Sequence, residues 1–231
     1  FKLNRANIPS KNSTLDFTTA HQFPGANLVD INGDDLPELI ITPDASESFD
    51  KNRATTIFWN TKGKFIETNK TLLTSPVGTN NQIALDAQAT DINGDGLKDL
   101  IVIGTQGQPF YDGWFVQIFL NEGNKNFVDM TSTFLSAQDS FGGIHGEVSG
   151  QPWPAWINVF DFNHDGVNDF WLEFGNPKSN TPIVWLNDGT GHFTTLKVSD
   201  FVDSSDQYLM GYHNHFYQTS QGWSFVSVQQ N

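Results

Sequence analysis

Three nine-residue segments of this chain align without a gap, and they limit its fold more than any other feature: Asp30-Ile-Asn-Gly-Asp-Asp-Leu-Pro-Glu38, Asp91-Ile-Asn-Gly-Asp-Gly-Leu-Lys-Asp99 and Asp161-Phe-Asn-His-Asp-Gly-Val-Asn-Asp169. Their starts lie 61 and 70 residues apart. A second motif keeps step with them: Trp59-Asn60-Thr-Lys-Gly-Lys-Phe65, Leu120-Asn121-Glu-Gly-Asn-Lys-Asn-Phe127 and Leu186-Asn187-Asp-Gly-Thr-Gly-His-Phe193. The Asn follows the first Asp of its loop by 30, 30 and 26 residues. Two motifs in phase through three copies define a repeat, and a repeat of this size buries its apolar surface by stacking on its own copies.

Each acidic loop runs into a short apolar stretch: Leu39-Ile40-Ile41, Leu100-Ile101-Val102-Ile103 and Phe170-Trp171-Leu172. These runs are too short for helices and do not alternate with polar residues, which predicts strands covered on both faces. The Asn-x-Gly segments, Asn-x-x-Gly in the first copy, sit between apolar stretches and read as hairpin turns in which Asn and Gly supply positive φ. One unit is then about four short strands, and no segment carries a sustained helical period. The fold class is all-β. Radial stacking of four-stranded antiparallel blades gives a β-propeller, in which each blade is sandwiched between neighbours.

The Asp-x-Asn-x-Asp-Gly-x-x-Asp loop before an apolar strand, with the later Asn-Asp-Gly-x-Gly-x-Phe turn, resembles the FG-GAP or VCBS repeats of integrin-like calcium-binding β-propellers. The resemblance spans residues 22 to about 200 in three copies. We expect repeat units at approximately 22–75, 83–135 and 152–200 within a single domain or propeller fragment covering 1–231, with an incomplete fourth unit at 205–231. In that fourth unit Met210–Gln218 and Trp223–Val228 read as strands. Residues 1–10 are in register with an outer strand, so they could complete the fourth unit and close a ring of about four blades. Alternatively the chain is part of a larger propeller, which the resemblance favours because its members usually have six to eight blades. The first residue is Phe1 rather than Met, which reads as a mature or excised piece.

Positions 1, 3, 5 and 9 of each loop carry oxygen side chains: Asp30, Asn32, Asp34 and Glu38; Asp91, Asn93, Asp95 and Asp99; Asp161, Asn163, Asp165 and Asp169. Carboxylates so close repel one another, and a hard divalent cation with six to eight oxygen ligands relieves that repulsion. The backbone carbonyls of Leu36, Leu97 and Val167, at position 7, would add a ligand to each loop. An EF-hand is excluded, because its twelfth position needs a bidentate Glu and here holds Ile41, Val102 or Leu172. Calcium suits irregular, backbone-assisted loops better than magnesium, and zinc would require His or Cys. The expectation is two to three structural Ca²⁺ ions, the competing reading being plain acidic turns.

Composition agrees with a cation-binding, non-nucleic-acid protein. The 231 residues hold 26 acidic and 12 basic side chains, a net charge of −14, which repels phosphate backbones and anionic headgroups. Cysteine is absent, which removes disulfides, thiolate metal sites and thiol nucleophiles together. No apolar run is long enough for a membrane span, so no membrane insertion is expected. Loops with the weak affinity of extracellular modules, Kd about 10⁻⁴ to 10⁻³ M, fill only outside the cell, and this predicts an extracellular or cell-surface location.

Specific function is expected on the connections, because propeller strands are scaffold. Three connections are long: Thr42 to Thr56, Gly104 to Gly113 and Thr131 to Trp156. Tyr111, Trp114, His145, Trp153 and Trp156 lie on or beside them and are the candidate ligand-binding residues, suited to stacking on sugar faces and bonding hydroxyls. The alternative is that the tryptophans plug blade interfaces. His145 with Glu147 could act as acid and base in a polysaccharide lyase or hydrolase, yet no nucleophile accompanies them, and no catalytic residue is assigned. The reading is therefore a calcium-stabilised binding module for a polysaccharide or an extracellular partner protein in adhesion, with an enzyme or a ligand-free scaffold as alternatives.

Overall fold

Alternation inside the buried strands decides how the repeats pack. In the second repeat Leu100 and Val102 join Ile40, Ile57 and Trp59 of the first repeat in one apolar cluster, while Ile101 and Ile103 join Phe170, Leu172, Phe174 and Trp185 of the third in another. Successive side chains of one strand therefore serve opposite faces of the same sheet. Both faces are covered, as the unbroken apolar runs require.

The computed structural model describes residues 26–42, 54–73, 82–106, 112–142, 151–175, 177–201, 214–219 and 222–227. The first blade is β1 (Ala26–Val29), β2 (Glu38–Ile41), β3 (Thr56–Asn60) and β4 (Phe65–Leu72). The second is β5 (Gln82–Thr90), β6 (Asp99–Gln106), β7 (Asp112–Asn121) and β8 (Phe127–Asp129). After it the chain makes two single-turn helices, α1 (Thr131–Phe134) and α2 (Ala137–Ser140), then a short strand β9 (Phe141–Gly142) that pairs with β7 as a fifth strand. The third blade is β10 (Trp153–Phe160), β11 (Asp169–Gly175), β12 (Pro182–Asn187) and β13 (Phe193–Lys197). Each blade has the strand order 1-2-3-4 with antiparallel neighbours. A hairpin of β14 (Asn214–Thr219) and β15 (Gly222–Ser227) follows, close to the two strands expected for the fourth unit.

The first strand of each blade lies against the first strand of the next, β1 on β5 and β5 on β10, which is the contact expected of innermost strands around a propeller axis. One side chain joins all three. Asp86 sits at a bulge in β5 and is 7% exposed. Its carboxylate accepts from the Asn27 amide of β1 at 3.1 Å, from the Ile157 backbone N–H of β10 at 3.0 Å and from its neighbour Ala87 N–H at 2.8 Å. The bulge turns an acidic residue into a connector between blades.

Between the second and third blades the core is aromatic. The rings of Trp185 and Phe170 stack at 4.9 Å with planes 8° apart, and Trp114 meets Trp185 and Phe174 edge-on at 6.2 and 5.9 Å. The Trp185 indole N–H donates to the Asp139 carbonyl of α2 at 3.0 Å, so the otherwise marginal helical turn is held against the blade. No described helix is long and apolar enough to cross a membrane.

The strand order fixes what lies at each end of the blades. The acidic loops join first to second strands and the Asn-x-Gly turns join third to fourth, so antiparallel pairing puts both at one end. The connections between second and third strands, and from each blade to the next, lie at the opposite end. All three long connections are therefore at that second end, and the repeated motifs are all at the first.

Candidate metal loops and the opposite face

The three acidic loops repeat one hydrogen-bond pattern. Position 1 closes the loop: Asp30 accepts N–H bonds from Gly33, Asp34 and Asp35 at 2.8 to 3.1 Å, Asp91 from Gly94 and Gly96, and Asp161 from Asp165 and Gly166. Positions 3 and 5 hold each other: the amides of Asn32, Asn93 and Asn163 donate to Asp34, Asp95 and Asp165 at 3.2, 3.0 and 2.9 Å. The position-5 carboxylate then accepts the N–H of Leu36, Leu97 or Val167 at position 7. These are Asx turns in series, and they leave the position-7 carbonyls unengaged by any described hydrogen bond.

Position 9 behaves differently. Glu38, Asp99 and Asp169 begin the second strands and are 0, 0 and 1% exposed. One oxygen of Asp99 accepts the Ile92 N–H at position 2 of its loop, at 2.8 Å, and the other accepts the Asn121 N–H of the hairpin turn at 2.8 Å. Asp169 does the same with Phe162 and Asn187, at 2.8 and 2.7 Å, and Glu38 with Ile31 and Asn60, at 3.1 and 3.3 Å. This explains why the two motifs recur together although 30, 30 and 26 residues separate them: the last acidic residue of the loop binds the Asn of the turn.

Burial in this setting raises the position-9 carboxyls. Desolvation, opposed by the two N–H donors and assisted by the charges of Asp95 and Asp91, pushes Asp99 up to about 6. Glu38 and Asp169 are raised for the same reason. Asp30 goes the other way: desolvation is the largest single influence and raises it, but the N–H groups of Asp35, Gly33 and Asp34 and the Lys98 ammonium together outweigh it and hold the carboxyl below the usual carboxylate range. Each loop thus contains a buried carboxylate for which ionisation is costly.

Loop-to-loop contacts also exist. The Asn121 amide donates to the Ile31 carbonyl in the preceding loop at 3.3 Å, and the Asn187 amide donates to the Ile92 carbonyl at 2.9 Å. At position 8, the Lys98 ammonium donates to the Asp30 carbonyl at 2.9 Å and the Asn168 amide to Thr90 Oγ1 at 3.0 Å. Every contact joins one blade to the one before it.

Among the described residues, no three carboxylate or imidazole groups stand together as a ready-made cation cage. The loop carboxylates are turned instead to their own N–H groups. The donor chemistry nevertheless fits a hard cation. Each carboxylate oxygen bound to one N–H keeps a second lone pair, the set is all oxygen, and no ammonium or guanidinium side chain forms an ion pair with a loop carboxylate among the described residues.

Two positions of each loop take left-handed backbone. Position 6 has positive φ at Gly96, Gly166 and Asp35, with 86°, 90° and 64°. Position 4 also has positive φ: Gly33 and Gly94 adopt 76° and 77°, and His164 is forced to 62°. The sequence signal was the glycine at position 4 in two of the three copies.

Three of the candidate ligand residues lie among the described residues. Trp156 is 43% exposed on β10, opposite Glu173 of β11, and the Asn158 amide on the same face of the sheet donates to Glu173 at 3.2 Å. Trp153 is half-buried at the outer end of β10. Trp114 is corrected from rim to core: it is 4% exposed in β7, and its indole packs on Phe174 and Trp185, because β7 extends to Asp112 and draws the residue into the sheet. Tyr111 and His145, with Glu147, lie outside the described residues.

The model of the FG-GAP-like repeat matches residues 30–102 and 91–172, two overlapping copies. No curated protein matches the chain. Among solved structures, the chain is similar to one described as the structural basis of specific recognition of non-reducing terminal N-acetylglucosamine by an Agrocybe aegerita lectin, at 21% identity and a TM-score of 0.45. The match covers 80% of this chain and 40% of that one, so the chain spans less than half the length of the lectin.

Proposed function

Because the chain belongs to the FG-GAP-like repeat family, whose repeats are β-propeller blades, we propose that it is a calcium-stabilised binding module acting outside the cell, with a polysaccharide as its ligand. The observation that carries this reading is the division of the blades into two ends. At one end every repeated polar side chain is committed to closing loops, tying turns and joining blades, which is scaffold work. At the other end the connections differ from blade to blade in length and sequence, and that variation is what a specific surface needs.

The residues that would hold calcium are those at positions 1, 3, 5, 7 and 9 of each loop, from Asp30 to Glu38, Asp91 to Asp99 and Asp161 to Asp169. Bound there, calcium would neutralise the carboxylates that the fold gathers at one end. The rest is done by the chain. Asp30, Asp91 and Asp161 hold the loops closed, and Glu38, Asp99 and Asp169 clamp loop to hairpin. Midway along β10 the exposed Trp156 offers an indole for stacking, with the Asn158 amide and Glu173 carboxylate to bond hydroxyls.

A polysaccharide and glycan array tests this with the wild-type chain and Trp156→Ala, in millimolar calcium. The expected result is binding by the wild type and at least a tenfold weaker signal from the variant, since loss of an aromatic anchor costs about 2 kcal/mol or more. An array with no wild-type signal would refute the polysaccharide reading and favour a scaffold.

A further inference from the structure

Hydrogen bonds at the loop end join into one unbroken line across three blades. From Glu38 it passes to the Ile31 N–H at 3.1 Å, through that residue to its carbonyl, and on to the Asn121 amide at 3.3 Å. The Asn121 backbone N–H donates to Asp99 at 2.8 Å, and the other Asp99 oxygen accepts the Ile92 N–H at 2.8 Å. The Ile92 carbonyl accepts from the Asn187 amide at 2.9 Å, the Asn187 N–H donates to Asp169 at 2.7 Å, and Asp169 accepts the Phe162 N–H at 2.8 Å. All eight residues of the line are 4% exposed or less.

We propose that this line couples the three acidic loops, so that a divalent cation held by one loop raises the affinity of its neighbours. The inference rests on the calcium reading above. A position-9 carboxylate that shares lone pairs with a cation is fixed in place, and it fixes the hairpin Asn that it binds. That Asn fixes position 2 of the preceding loop, whose N–H is held by the next position-9 carboxylate. The ordering that one loop requires is then partly complete in the next, which is the condition for positive cooperativity. Sequestration from water strengthens each link, and chained hydrogen bonds polarise one another. The Lys98 and Asn168 contacts run beside the line and hold the same loops in register.

The test is a calcium-binding isotherm of the whole chain by calorimetry, with native mass spectrometry of partly loaded samples. Coupling predicts a Hill coefficient above one and a mixture dominated by empty and fully loaded chains. Disabling the third loop with Asp161→Ala and Asp165→Ala together is expected to weaken calcium binding at the other two by about fivefold or more. In an Asn187→Ala background the same change should leave the second and first loops unaffected. If Asn187→Ala does not fold, Asn121→Ala with the first loop disabled makes the same comparison, and the wild-type isotherm needs no variant at all. Independent sites, with a Hill coefficient of one and a binomial spread of loaded species, would overturn the coupling and leave the calcium reading intact. No calcium uptake by the wild-type chain would overturn both.

Discussion

Replacing Asp86 should loosen three blades at once. Its carboxylate takes N–H bonds from Asn27 in β1 and Ile157 in β10, as well as from Ala87 beside it. In Asp86→Ala the Ile157 N–H, on a residue 5% exposed, loses its acceptor inside the protein. An orphaned buried donor costs about 1 to 3 kcal/mol. The Asn27 amide keeps its bond to the Ala87 carbonyl, so its loss adds only about 1 kcal/mol. The Ala87 N–H, on a residue 1% exposed, loses the same acceptor and adds about 1 kcal/mol, so the sum is about 3 to 5 kcal/mol. Asp86→Asn keeps one oxygen but must turn its NH₂ toward one of the two donors, which predicts roughly half that loss. The assay is urea denaturation of each variant followed by tryptophan fluorescence, read as a change in midpoint at constant slope. A double-mutant cycle with Asn27→Ala should give a coupling of about 0.5 to 1 kcal/mol, because the two side chains share one bond. An Asp86→Ala protein within 0.5 kcal/mol of the wild type would refute the idea that one bulged carboxylate joins the inner strands.

Other expectations follow from the loops and the close-packed glycines. In chelator, stability should rise as pH falls from about 7 toward 5. The position-9 acids have folded pKa values above their unfolded ones, so the folded state binds more protons in that window, and the stability present at low pH is lost as pH rises through the folded value, about 6 for Asp99. The gain from Asp99 is on the order of 1 to 2 kcal/mol after allowance for solvent screening, and Asp99→Asn should flatten the pH slope of a denaturation series. A thermal melt in millimolar calcium against one in EGTA should differ by roughly 5 to 15 °C, with two to three ions counted by native mass spectrometry; equal melts would reduce the loops to turns. His164→Gly relieves a left-handed backbone in a residue with a Cβ and should raise the unfolding free energy by about 0.5 to 1 kcal/mol, read as a higher urea midpoint. Gly104→Ala should reduce soluble yield or stability sharply, since a Cβ there would lie 2.1 Å from the Ile83 carbonyl oxygen and 2.2 Å from the Phe115 ring.

Much of the architecture was legible because it is periodic. The spacing of the loops set the blade length, the unbroken apolar runs identified strands covered on both faces, and Asn with Gly marked the hairpins. What local pattern could not disclose depends on contacts between blades or on strand length. Asp86 has no counterpart in the third repeat, where the corresponding residue is Trp156, so nothing in the repeat singled it out. Trp114 reads as a rim residue because the long connection runs from Gly104 to Gly113 in sequence, yet pairing of Gln106 with Asp112 carries the sheet past it. The single-turn helices α1 and α2 have no periodic signature at four residues each, and tertiary contacts such as the Trp185 indole on Asp139 sustain them. Oxygen at position 9 was read as a ligand from its type alone, whereas its burial and its two N–H partners became visible only once loop and turn were brought to the same end.

The unequal ends of the blades bear on how such a chain can change length. An extra residue between Asp91 and Asp99 would shift donors away from acceptors they now meet at 2.8 Å. An extra residue between Gln106 and Asp112 lengthens a connection that carries neither repeated motif. Insertions and deletions should therefore accumulate at the far rim while the nine-residue loops keep their count, and a library intended to give this scaffold a new specificity would randomise and extend 107–111 and leave those loops untouched.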